Sequence, residues 1–240
     1  MSSGYVAPRR GLQRGFNAAF KGMALLVAMA FANGAAAQSP AHAPAASRVT
    51  AKAPAPRAQR TVLVMGDSLS AAYGLSPSQG WVALTADRIA KTKPGWRVVN
   101  ASVSGETSAG GATRIGGALQ RHRPSVVVIE LGANDGLRGL PLEQTRANLS
   151  KMIRASQAAG ARVLLLGMRM PPNLGRSYTD GFAGNYAALA KEHKVELVPF
   201  FLEPIMRDRS AFQSDNLHPT ARAQPTLRDH VWSELSGLMR

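Results

Sequence analysis

The 240-residue chain predicts a three-layer α/β/α sandwich around a five-stranded parallel sheet. Two observations carry that prediction. Five short runs are apolar without alternation, as strands covered on both faces must be, and each is followed by a segment with helical spacing. Strand and helix in strict alternation lead to an open sheet joined by right-handed crossovers.

The first run, 61–65, reads Thr-Val-Leu-Val-Met and stops at Gly66-Asp67-Ser68. Helical spacing follows over 79–91, then a strand at 96–100 and a helix at 110–121. The third strand is 125–131, rich in valine, and the next helix spans 143–159 with Pro141 before it and Gly160 after it. A strand at 162–168, a helix at 178–193 and a strand at 195–200 continue the alternation, and Pro219 opens a last helix running to 239.

Composition is that of a globular chain, with 45% hydrophobic and 18% charged residues. The absence of cysteine removes disulfides, thiolate metal sites and a cysteine nucleophile from consideration. The net charge of +15 is unevenly spread, because residues 1–60 hold eight Lys/Arg and no acid. Residues 61–240 carry the remaining 21 basic and all 14 acidic groups, a scattered +7. No basic run with interleaved aromatics follows Arg60, so nucleic-acid binding is not expected, although a weak attraction to membrane surfaces is compatible with the charge.

Arg9, Arg10, Arg14 and Lys21 precede an apolar run from 22 to 32 and the small-residue stretch Ala35-Ala36-Ala37. This is the pattern of a cleaved secretory signal at 1–37, and the apolar run is shorter than the roughly 20 residues a membrane span needs. Residues 38–60, rich in Ala and Pro, read as a disordered linker, and 61–240 as the folded domain of a periplasmic or secreted protein. A monomer is expected.

In open α/β sheets ligands bind beyond the carboxyl ends of the strands, so those positions are the ones to question. They hold Gly66-Asp67-Ser68, Ala101-Ser102-Val103-Ser104-Gly105 and Gly132-Ala133-Asn134-Asp135-Gly136, and the loop before the last helix holds Asp215-Asn216-Leu217-His218. Taken singly these are a helix cap, a tight turn, an Asn-Asp-Gly turn and a surface histidine. Together they supply the parts of a serine acyl hydrolase: a hydroxyl, a base with an orienting carboxylate, and oxyanion donors. Of the five histidines, His42 is in the linker and His122, His193 and His230 fall on helices; only His218 has a loop position with a carboxylate three residues upstream. Metal binding is the rival use of Asp-x-x-His, but no second ligand cluster supports it. Asp67 reads as a positioning residue.

The strings GDSLSAAYGL, NASVSGETS, ELGANDGLRG and DNLHPTARAQP resemble the four blocks of the SGNH (GDSL) hydrolase superfamily. They are most similar to its periplasmic thioesterase/protease/lysophospholipase group, which includes arylesterases, over about residues 61–236. The resemblance implies a flavodoxin-like sandwich and hydrolysis of fatty acyl esters, thioesters and lysophospholipids through an acyl-serine, without metal or organic cofactor. Carried over by position, Ser68 is the nucleophile, His218 the base and Asp215 its orienter. The oxyanion donors are the Ser68 and Gly105 amides and the Asn134 side chain. Ala133 stands where some relatives have glycine. The nucleophile follows the first strand and lacks the G-x-S-x-G elbow, which separates the chain from α/β-hydrolases.

Tyr73, Leu137 and Pro171 are candidate substrate contacts for an acyl groove, with ordinary core packing as the alternative for such residues. Two other readings of the whole are an esterase for short acyl groups such as O-acetylated carbohydrate, and a non-enzymatic binding module. If His218 is the base, activity rises with pH through a histidine titration, whose reference value is about 6.5.

Overall fold

A computed structural model describes residues 59–240. The expected signal segment and nearly all of the expected linker lie outside the described residues. The sheet has five strands, all parallel, in the order β2-β1-β3-β4-β5, with β1 Arg60–Gly66, β2 Trp96–Asn100, β3 Val126–Glu130, β4 Arg162–Leu166 and β5 Glu196–Val198. The three-layer parallel architecture expected from the apolar runs is therefore the one observed.

Burial follows position in the sheet. The interior strand β3 is buried throughout, β1 beyond its first residue and β4 nearly so, whereas the edge strands β2 and β5 are only partly covered. Continuous apolar runs thus belong to strands roofed by helices on both faces. Helices α1 Trp81–Thr92 and α6 Gln224–Leu238 pack together, and α2 Ser108–His122 packs on α4 Leu142–Ala158, which packs on α5 Arg176–His193. Trp81, Ile89, Leu149, Phe182 and Leu227 fill the space between layers. Truncating one of these to alanine costs about 2–5 kcal/mol.

Local signals explain most helix ends. Thr107 caps α2 by accepting from the Gly110 amide, Pro141 precedes α4, and Gly160 at φ +79° lies just beyond its end. Two expectations need correction. The stretch after β3 is not only a turn but a short helix, α3 Ala133–Leu137, entered through Gly132 at φ +116°. A Cβ on Gly132 would collide with the Tyr186 hydroxyl, so both conformation and space demand glycine there. The last helix begins at Gln224 rather than Pro219, with Pro225 in its first turn. The reason is pairing: Phe212 and Pro219 form an antiparallel bridge, and the Thr220 amide donates to the Ala211 carbonyl at 2.8 Å, which keeps this segment extended.

Candidate active site

The carboxyl ends of β1, β3 and β4 open onto one rim of the sheet, and the loop before α6 folds back over it. Ser68 follows β1 in a tight turn, in which the Ala71 amide donates to the Asp67 carbonyl at 2.9 Å and the Tyr73 amide to the Ser68 carbonyl at 3.1 Å. Gly66 makes the turn possible, since a Cβ there would sit 2.7 Å from Ser70 Cβ and 2.9 Å from Glu130 Oε2.

His218 Nε2 lies 2.8 Å from Ser68 Oγ, and His218 Nδ1 lies 2.7 Å from Asp215 Oδ2. The other carboxylate oxygen, Asp215 Oδ1, accepts from the Leu217 amide at 2.9 Å and the His218 amide at 3.0 Å. Those two backbone donors, His218 first, are the main reason the Asp215 carboxyl is lowered to about 2, and the loop can close so tightly because Asn216 takes φ +57°. An ionised, oriented carboxylate on one ring nitrogen leaves the other facing the hydroxyl, the arrangement that lets a histidine accept a serine proton.

Gly105 has φ +78° and follows β2, while a Cβ there would meet no protein atom within 4 Å. Within the chain its glycine requirement is therefore conformational rather than steric. Asn134 Nδ2 donates to Asp67 Oδ2 at 3.2 Å and to the Glu106 carbonyl at 3.0 Å. Both amide hydrogens are held by the protein, so donation to a developing oxyanion requires one of them to be shared or released.

Asp67 is fully buried, with Oδ1 accepting from the Leu69 amide at 3.0 Å. Burial raises its carboxyl to about 6, the amide donors opposing. Beneath it Glu130, also fully buried, accepts from Ser70 Oγ at 2.7 Å and from the Asp67 amide at 3.4 Å, while its Oε1 has no hydrogen-bond partner. Burial, then the charge on Asp67, pushes Glu130 well above the usual carboxylate range, so Glu130 is the member of the pair that keeps its proton. Sequence reasoning passed over Glu130. Its signal was a lone acid closing an otherwise apolar strand.

A groove of about 790 Å³ runs from Ser68 and His218 along Leu137, Met168, Pro171 and Phe200 to Met206 and Phe212. Of the three expected substrate contacts, Leu137 and Pro171 line it. Tyr73, 52% exposed, does not; its ring packs on the His218 imidazole at 4.5 Å between centroids. Two of the three helical histidines make structural contacts: His193 Nε2 meets Ser150 Oγ at 2.8 Å and His230 Nε2 meets the Phe200 carbonyl at 3.0 Å. The wall at 200–212 escaped prediction because it is a loop without hydrophobic period.

This rim, with a serine, a histidine and a carboxylate in hydrogen-bond sequence on a five-stranded parallel sheet, defines a hydrolase of the SGNH type. The chain belongs to the GDSL-like lipase/acylhydrolase family, whose model matches residues 64–224, and it is an ester hydrolase. Over 182 residues it is 50% identical to esterase TesA of Pseudomonas aeruginosa, covering 76% of this chain and 90% of that one. It is 42% identical over 179 residues to thioesterase 1/protease 1/lysophospholipase L1 of Escherichia coli K12, covering 75% and 85%. The crystal structure of TesA superposes with a TM-score of 0.73 at 50% identity, covering 75% of this chain and 99% of that one. A psychrotrophic esterase EstA from Pseudoalteromonas, inhibited by monoethylphosphonate, does so with 0.71 at 38%, covering 75% and 98%.

Proposed function

We propose that Ser68, His218 and Asp215 form the catalytic triad of an exported enzyme that hydrolyses fatty acyl esters and thioesters through an acyl-serine. The observation that carries this reading is the 2.8 Å approach of His218 Nε2 to Ser68 Oγ, with Asp215 Oδ2 at 2.7 Å from the opposite ring nitrogen. As Ser68 Oγ attacks the acyl carbonyl, His218 takes its proton and then gives it to the departing alcohol or thiol. Water, deprotonated by the same imidazole, releases the fatty acid. The amides of Ser68 and Gly105 and the Asn134 side chain hold the negative oxygen of each tetrahedral intermediate.

Three further points support the reading. The groove beside Ser68 has an apolar lining suited to an acyl chain. Similar proteins are named esterase, arylesterase and thioesterase/lysophospholipase. The basic and then apolar composition of 1–37 supports export, with 38–60 as a tether for a domain at 61–240. The protein is proposed to act as a monomer on small-molecule acyl esters.

The test is hydrolysis of p-nitrophenyl esters from acetyl to palmitoyl by the full chain, with Ser68→Ala beside it. Activity on medium or long chains that disappears in the variant is expected. Activity confined to acetyl would assign a short-acyl esterase instead, and undiminished activity in Ser68→Ala would remove Ser68 as nucleophile.

A further inference from the structure

The far wall of the groove carries charge that ester chemistry at Ser68 does not use. Apart from His218 and the buried Asp67, its charged side chains are Arg169, Arg207 and Arg209, all exposed. Arg169, just beyond β4, lies over the Phe200 ring at 5.2 Å, a cation–π contact that keeps the guanidinium against the wall. Arg207 and Arg209 flank Asp208 in sequence, yet that carboxylate faces other donors. Its Oδ1 accepts from the Ser210 amide at 2.9 Å and hydroxyl at 2.6 Å, and its Oδ2 from Arg222 at 3.4 Å.

Among the described residues, none of the three arginines hydrogen-bonds to or pairs with a carboxylate. Arg88, Arg114, Arg146, Arg176, Arg222 and Arg228 each do. Beside the three lies apolar surface from Phe200, Met206 and Phe212. Unneutralised guanidinium groups next to an apolar floor are the complement of an anionic amphiphile. Their planar forks match phosphate oxygens, and a quaternary ammonium placed there would be repelled.

We propose that Arg169, Arg207 and Arg209 form a subsite for the phosphate of an anionic lysophospholipid headgroup, selecting net-negative acyl esters over zwitterionic ones with the same chain. The inference rests on the acyl-ester reading above. It is tested with the full chain and two monomeric substrates below their critical micelle concentrations, lysophosphatidylglycerol and lysophosphatidylcholine with the same acyl group. The readout is the ratio of their kcat/KM values, in which any loss of folding or of serine chemistry cancels.

A preference of about tenfold for the glycerol headgroup at low salt is expected, falling towards unity at high ionic strength as exposed charges are screened. It falls likewise in Arg207→Gln/Arg209→Gln. A wild-type ratio near one, or a ratio that survives removal of the arginines, overturns the subsite. A preference that emerges only above the micelle concentration also overturns it, since the attraction would then be to an anionic interface. Failure of the underlying ester-hydrolase reading looks different: no Ser68-dependent release of fatty acid from either substrate.

Discussion

Asp67 Oδ2 accepts a hydrogen bond from Asn134 Nδ2 at 3.2 Å, so the residue preceding the proposed nucleophile holds the proposed oxyanion donor on the neighbouring strand end. Because β1 and β3 are hydrogen-bonded neighbours in register, with Gly66 opposite Glu130, the two loops leave the sheet side by side. The contact ties the two loops to one edge of the sheet, and it supports the reading of Asp67 as a positioning residue.

Asn134→Ala removes that donor and leaves the Ser68 and Gly105 amides. Turnover should fall about 100- to 1,000-fold, with KM changed far less, because the interaction strengthens only as charge develops on the acyl oxygen. Steady-state kinetics on a p-nitrophenyl ester, with circular dichroism of the variant, checks this. A drop of less than about tenfold in kcat would take Asn134 out of the oxyanion site.

Asp215→Asn tests the orienter. Its carboxyl is lowered to about 2, so it is ionised across any practical assay pH. A depressed acid stabilises the fold above its unfolded value of 3.8, and that contribution is lost as pH falls through about 2. The contribution of the Asp215 carboxyl to the stability difference between wild type and Asp215→Asn should therefore shrink below about pH 4, as read by urea midpoints. Turnover should fall about 100- to 10,000-fold, because an amide cannot stabilise an imidazolium on Nδ1.

Three glycine-to-alanine changes should separate by cause. Gly132 combines φ +116° with a clash against Tyr186, Gly66 meets Ser70 and Glu130 at under 3 Å, and Gly105 has φ +78° in open space. Gly105→Ala should cost about 1–2 kcal/mol from conformation alone. Gly66→Ala should cost about 1–3 kcal/mol from overpacking. Gly132→Ala, bearing both penalties, should be the most destabilised of the three. Chemical denaturation that ranked Gly105→Ala worst would show that backbone conformation, not crowding around the added Cβ, dominates these costs.

Strands and their parallel arrangement were legible because burial on both faces writes itself as unbroken Val, Leu and Ile, as at 126–129. Ser68, Gly105 and Asn134 stood out in the sequence because they lie in the loops that follow strands, and His218 because it is the one histidine in a loop with a carboxylate three residues upstream. What was not legible depended on contacts between distant segments. Tyr73 reads as a wall of the groove until its ring is seen against His218. The start of α6 reads as Pro219 until the Phe212 bridge is seen to hold that proline in an extended segment. Glu130 is a single acid near the end of an apolar run, and only the fold shows it sealed beneath the turn at Gly66.

The buried pair gives a stability signature opposite in sign to that of Asp215. Burial raises the Asp67 carboxyl from 3.8 to about 6, so between those values the folded protein binds more protons than the unfolded chain. Stability from this group is complete below about pH 3.8 and is lost as pH rises through about 6. Asp67→Asn removes the titration, so its stability relative to wild type should climb over that window, by at most about 3 kcal/mol for a shift of this size. Glu130→Gln should retain the wild-type fall over that window, because it leaves the Asp67 carboxyl in place and exchanges one neutral buried group for another. Urea denaturation at half-unit intervals from pH 4 to 7.5 reads both variants. A wild-type curve parallel to that of Asp67→Asn across the range would mean that Asp67 ionises as an ordinary surface acid, and that the carboxylate holding Asn134 is not the desolvated group described.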